Sequence, residues 1–386
     1  MRPPAIPTRP SRRNCLKRLA VRLLIGCLAI SAAKPAQAIG PISNVADAPT
    51  TGSPSGALSG IALGFHTHFS YGRNGAPADY APIAKLINKL EFKPALIQGF
   101  YSWKNTDGSY RPFPKDFSDY VVSQGATPLI TWQPGQADQN NQVERPQADW
   151  TCVQIASGRY DGYIREWAQA AKAYSHALYV RLMHEFNATT YPWAYMIDHV
   201  NNAPDKYVAA FRHVVGIFHE VNVTNVQFIW CFGTGAQNPP PENWFPGDDY
   251  IDWVSLDGYN HGFTKDGSKR NWRTFEQVFG PSYSRLTKIS RRPVIIAEIG
   301  CVEDVDEKGS THIMDPTQKP RWIRDAFLSV IPAKMPRVKA VVLFNSVGHS
   351  FPTYVVDSSP ESLAAFREVA ANPLYQAAAA SQPLRF

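Results

Sequence analysis

The sequence predicts an α/β fold, a (β/α)8 TIM barrel forming a single domain, and three observations carry that prediction. Eight short apolar runs recur along the chain, helical spacing fills most of the intervals between them, and the chemically useful side chains gather where the runs end. The predicted strands are Ile61–His66, Ala95–Tyr101, Thr127–Trp132, Leu178–His184, Val226–Phe232, Trp253–Leu256, Pro293–Ile299 and Val338–Phe344. Each is short, aliphatic or aromatic and without strict alternation, as a strand buried on both faces requires. Apolar residues at helical spacing predict helices over Ala78–Leu90, Pro114–Gln124, Tyr160–Ser175, Asp205–Val221, Trp272–Lys288, Lys319–Ile331 and Pro360–Ala371. Between the fifth and sixth strands Asn238-Pro239-Pro240-Pro241 breaks the pattern, and no helix is expected there.

The barrel is assigned to residues 59–375, with a C-terminal tail over 376–386. Residues 1–38 read as an export signal. Arg2, Arg9, Arg12, Arg13, Lys17, Arg18 and Arg22 precede the apolar Leu23–Ile30, and Ala36-Gln37-Ala38 supplies the small residues of a cleavage site. The expectation is a secreted or periplasmic protein cut after Ala38; acylation at Cys27, in Leu24-Ile25-Gly26-Cys27, is the alternative. Residues 39–58, rich in Ala, Pro, Ser and Gly, read as a flexible lead-in. No later stretch approaches the roughly 18 uncharged residues of a membrane span.

The leader also explains the charge. It holds eight of the 39 Lys and Arg and no acid, so the remainder balances at 31 bases against 32 acids. A nucleic-acid partner is therefore not expected, and a monomer is. Three cysteines follow the leader, Cys152, Cys231 and Cys301, an odd number that leaves at least one unpaired within a monomer. No Cys-x-x-Cys occurs, and neither a cofactor nor a resident metal is expected.

A barrel carries its chemistry at the C-terminal ends of its strands, and two of those ends are acidic. Leu178–Asn187 closes on His184, Glu185 and Asn187, and Pro293–Gly300 closes on Glu298. Cleaving a glycosidic bond needs one carboxylic acid to protonate the leaving oxygen and one carboxylate to attack or to activate water. Glu185 is assigned the acid/base role and Glu298 the nucleophile; the bland alternative for Glu185 is an ion pair with Arg181. Sugar rings present apolar faces and hydroxyl edges, so aromatic and amide groups at strand ends suit a polysaccharide cleft. The substrate-binding candidates are His66, Trp103, Trp132, His184, Asn187, Trp193, Trp230 and Tyr259.

Three of these stretches carry a family resemblance. Val180-Arg181-Leu182-Met183-His184-Glu185-Phe186-Asn187 with Trp193 resembles the acid/base strand of glycoside hydrolase family 26. Trp253-Val254-Ser255-Leu256-Asp257-Gly258-Tyr259-Asn260 is similar to its sixth strand. Pro293–Gly300, Lys319-Pro320-Arg321-Trp322 and Val338–Asn345 resemble its nucleophile strand, the following helix and the last strand. The resemblance implies a retaining, endo-acting hydrolase in which His184 lines the cleft and Tyr259 hydrogen-bonds the nucleophile. The sequence departs from mannan-cutting members at Thr189-Thr190-Tyr191-Pro192, at Gln133 and at Phe344-Asn345. These are substrate-contacting positions, so the implied polymer stays open among β-mannan, β-glucan, β-xylan and exopolysaccharide.

Two rival readings come from other classes. A barrel that binds glycan without cutting it would need the same aromatics but no productive acid pair. Phe65-His66-Thr67-His68 places two histidines on one face of the first strand, as a metal-dependent amidohydrolase-type barrel would, though later strands offer few further ligands. His184-Glu185 is no metalloprotease motif, because position 188 is Ala188.

Overall fold

The computed structural model describes residues 60–72, 78–235, 240–264, 267–346 and 354–379. The predicted export signal, its cleavage site, the lead-in and the end of the C-terminal tail lie outside the described residues. Eight parallel strands close a barrel in sequence order: β1 (Ala62–Thr67), β2 (Leu96–Lys104), β3 (Thr127–Gln136), β4 (Leu178–Leu182), β5 (Val226–Gly233), β6 (Trp253–Asn260), β7 (Val294–Cys301) and β8 (Val338–Asn345). β8 pairs back onto β1, with Ala62 opposite Ala340 and Thr67 opposite Asn345.

Helices follow most strands. They cover Ala81–Leu90, Lys115–Ser123, Asp161–Tyr174, Pro204–Val221, Phe275–Ile289, Gln318–Arg324 and Pro360–Ala371. Their ends follow local chemistry. Thr274 and Gln277 form a reciprocal capping box before Phe275, and Ser359 caps the helix that opens with Pro360. The helix after β7 passes through a π turn at Asp325–Val330 and ends in a short turn containing Pro332. Between β5 and β6 the described residues form only the single 3₁₀ turns Pro241–Trp244 and Asp248–Tyr250. Asp304–Val305 and Ile313–Asp315 add a small hairpin after β7.

Alternation along the strands sorts side chains into two cores. Leu96, Leu129, Tyr179, Ile229, Trp253, Ile295 and Ala340 fill the barrel interior. Residues of the opposite parity face the helices and form a larger aromatic and aliphatic core that includes Trp103, Trp132, Trp167, Trp230 and Phe218. Above the apolar interior layer lies a polar one, where Gln98 and Thr131 meet at 2.9 Å and the fully buried Arg181 donates from Nε to Thr131 Oγ1 at 3.0 Å. That layer is the floor of the mouth.

Candidate active site

The open end of the barrel holds a cleft of about 380 Å³. Glu185 and Glu298 both line it, and the carboxylate oxygens of Glu185, Glu298 and Asp257 lie within 4.8 Å of one another. A larger recess of about 660 Å³, beside Ile87, Phe92 and Tyr375, sits at the opposite end of the barrel, and its one lining acid, Glu91, pairs with Arg367. The chemistry therefore belongs to the smaller cavity.

Each acid arrives through a local departure from regular strand. β4 stops at Leu182, two residues before the predicted end, because Met183 (φ 43°) and Glu185 (φ 50°) take left-handed conformations. Such φ values are uncommon for non-glycine residues, and they cost about 1–3 kcal/mol when the surroundings impose them. Three contacts do so here. The Glu185 N–H donates to the Cys231 carbonyl at 3.0 Å, and Asn187 clamps Gly233 by accepting from its N–H (2.9 Å) and donating to its carbonyl (2.8 Å).

On β7 the device is a β-bulge. Leu256 pairs with Ile296 but Asp257 pairs with Glu298, and on the other side Val341 pairs with Ile296 while Leu343 pairs with Ile299. Ile295 and Ala297 point into the barrel, so strict alternation would aim Glu298 at the helices. The extra residue turns it inward.

Arg181 pairs with both Asp257, at 2.5 Å, and Glu298. It does not pair with Glu185, so the bland reading of that residue fails. Tyr259 donates its hydroxyl to the other oxygen of Glu298. Two donors thus engage the two oxygens of Glu298. Burial pushes the Glu185 carboxyl well above the ordinary range, and the charges of Asp257 and Glu298 push it further. Burial also raises Asp257 to about 7, against the opposing pull of Arg181. One protonated acid beside one carboxylate held by a cation is an arrangement for donating a proton and attacking with a lone pair. The three acids could offer oxygens to a cation, but Arg181 already supplies positive charge to two of them.

The other predicted residues divide. His66 and Tyr259 line the cleft; His66 stacks on Phe344 with ring centroids 5.2 Å apart, and its Nδ1 meets the Gln98 carbonyl at 3.0 Å. Burial lowers the His66 imidazole to about 3, which leaves it neutral. His66 and His68 do not join the acids in a ligand group; among the described residues only the three acids converge. His184 is fully buried behind the wall, its Nε2 3.0 Å from the Tyr191 hydroxyl. Asn187 spends its amide on Gly233.

The four tryptophans are corrected outright, because Trp103, Trp132, Trp193 and Trp230 are completely buried and none reaches the cleft. Trp132 stacks on Trp167 at 4.5 Å and Trp230 on Phe186 at 5.6 Å, both in the helix-facing core. Trp193 donates to the His184 carbonyl at 2.8 Å and so holds the acid strand's end rather than sugar. In their place the cleft presents Phe100, Gln133, Glu144, Tyr191, Phe344 and Tyr354. Gln133, Tyr191 and Phe344 already stood among the substrate-contacting positions of the sequence, and parity would have added Phe100, which shares one face of β2 with Gln98. Glu144 and Tyr354 come from long loops with no such signal.

Residues 155–300 match the family model for glycosyl hydrolase family 26, a span that runs from before β4 into β7 and includes both glutamates. Endoglucanase H of Acetivibrio thermocellus is 33% identical over 277 residues, 71% of this chain and 27% of that protein. The resemblance to glycosyl hydrolase family 26 is borne out over the segment that holds both glutamates. A Vibrio β-1,3-xylanase is 27% identical over 149 residues, 37% of this chain and 32% of its own length, so the chain spans about a quarter to a third of these curated relatives. Among solved structures, the catalytic domain of a Bacillus family 26 endo-β-1,4-mannanase superposes with a TM-score of 0.58 at 15% identity, covering 82% of this chain and 87% of that one. The Cellulomonas fimi endo-β-1,4-mannanase gives 0.57 at 17% identity, covering 85% and 74%. These likenesses show the (β/α)8 barrel fold; no helix among the described residues is long and apolar enough to cross a membrane.

Proposed function

We propose that this chain is a retaining, endo-acting glycoside hydrolase of family 26 that cuts a β-linked polysaccharide, exported to the periplasm or beyond and acting as a monomer. The observation that carries the reading is the acid pair: carboxylates within 4.8 Å, one raised by burial and one bonded by Arg181 and Tyr259. A separation of roughly 5–5.5 Å leaves no room for a water between acid and sugar and favours a covalent intermediate. Glu298 attacks the anomeric carbon while Glu185 gives its proton to the departing glycosidic oxygen. Glu185, now ionised, takes a proton from the water that releases the sugar from Glu298, and both groups return to their starting states. Tyr259 and Arg181 keep a Glu298 lone pair aimed, and the rings of Phe344 and Tyr354 with the amide of Gln133 receive sugar faces and hydroxyls.

β-Glucan stands ahead of mannan as the polymer, because the relative at 33% identity is named an endoglucanase. The test is product release from β-glucan, mixed-linkage glucan, β-mannan, β-xylan and bacterial exopolysaccharides, with the anomer formed first read by NMR. Wild type should shorten one polymer with the β anomer appearing first, and Glu185→Gln should lose about 10²–10⁴ in rate on it. Glu298→Gln should be at least as inactive. An α anomer appearing first would end the retaining mechanism, and binding without cleavage by wild type would restore the non-catalytic barrel.

A further inference from the structure

Behind one wall of the cleft lies a second buried polar cluster that the proposed reaction does not use. Lys319 is 1% exposed and Glu303 3% exposed. The Lys319 ammonium donates to the Val355 carbonyl at 2.7 Å and to Ser358 Oγ at 2.7 Å, and stands 3.8 Å from Glu303 Oε1. That same oxygen accepts from the hydroxyls of Ser358 (2.5 Å), Ser359 (3.1 Å) and Ser362 (3.0 Å). Glu303 follows β7 by two residues, and Ser359 caps the last long helix. The cluster therefore ties the exit of the nucleophile strand to the segment Tyr354–Ser359, which Asn345 also holds by accepting from the Val356 N–H at 2.7 Å.

A buried ion pair is weak evidence of stabilisation, since apolar residues of the same volume often serve as well. What a charge with directed donors supplies is a defined position for the groups it bonds. The residue next to the Lys319-bonded carbonyl is Tyr354, whose ring packs 4.7 Å from that of Tyr259 and whose hydroxyl meets His261 Nδ1 at 2.5 Å. Tyr259 in turn bonds Glu298. Both tyrosines press on Gly300, where an added methyl group would come within 2.9 Å of each ring.

We propose that Lys319 is a positioning residue for the nucleophile side of the cleft, acting through Tyr354 on Tyr259. The kinetic consequence rests on the hydrolase reading; the positioning itself does not. Misplacing a group in an active site by about 1 Å can cost on the order of 10²-fold in rate. The test uses Lys319→Met, the uncharged pair Lys319→Met/Glu303→Gln, Tyr354→Ala, and Tyr354→Ala combined with each. Crystal structures of the two lysine variants should show the Tyr354 ring withdrawn from Tyr259. On the polymer that wild type cuts, Lys319→Met and Tyr354→Ala should each lower kcat/KM by about 10-fold to 100-fold, and the combination no further than the worse single change. If Lys319→Met alone does not fold, the uncharged pair is read by the same two measurements. Tyr354 unmoved in the variant structures, or losses that multiply, would overturn the proposal. If wild type cuts no glycan the hydrolase reading falls, and the crystal structures still decide whether Lys319 places Tyr354.

Discussion

Glu185 shows how one residue combines strain, burial and charge. Its φ of 50° places the carboxyl in the cleft, and burial with two acidic neighbours holds its proton. In the unfolded chain a glutamate releases that proton near pH 4.3. The native state thus binds a proton that the unfolded state has lost, and on this account stability is greatest below the unfolded value and falls as pH rises towards the folded one. Glutamine does not titrate, so Glu185→Gln should remove this part of the decline. Melting followed from pH 5 to pH 8 should show a gap in favour of the variant that widens with pH, reaching about 2 °C or more. A gap constant across pH would mean that Glu185 is not the group holding the proton. The rate should move with the same group: on a polymer that wild type cuts, kcat/KM should fall as pH rises through the Glu185 value.

At the scale of elements, the alternation of each strand decides whether an aromatic packs or binds. Trp132 and Gln133 are neighbours on β3, yet one stacks on Trp167 and the other lines the cleft. Trp132→Ala should cost about 3–5 kcal/mol of stability through the cavity it leaves, whereas Gln133→Ala should raise KM with little change in melting temperature. Denaturant titration beside steady-state kinetics on the two variants checks this; a Trp132→Ala protein of normal stability with raised KM would return Trp132 to the substrate. The bulge on β7 and the early end of β4 belong to the same scale. Both break the regular strand where a carboxylate has to be turned into the mouth. A run such as Pro-Val-Ile-Ile-Ala-Glu-Ile-Gly contains nothing that marks the inserted residue, because a bulge is a property of two strands in register.

For the whole molecule, the barrel brings both glutamates, 113 positions apart in the chain, to one floor beyond the ends of strands 4 and 7, where Arg181 bridges Asp257 and Glu298. Export belongs to this scale as well. N-terminal sequencing of the protein recovered outside the cytoplasm should begin at Ile39; a start at an acylated Cys27 would make it a lipoprotein. The order of apolar runs was enough to determine the eight-stranded barrel, because each strand must be buried on both faces and each helix on one, and this periodicity is written locally. The two acids were equally legible, since a carboxylate closing a buried run is too costly to be idle. What only the tertiary structure decided was direction: that four tryptophans face the helices, that Arg181 serves Glu298 rather than Glu185, and that Phe100, Glu144 and Tyr354 meet across the cleft. Those facts depend on strand parity, register shifts and loops that return from far along the chain. They arise from contacts between segments, and no segment carries them alone.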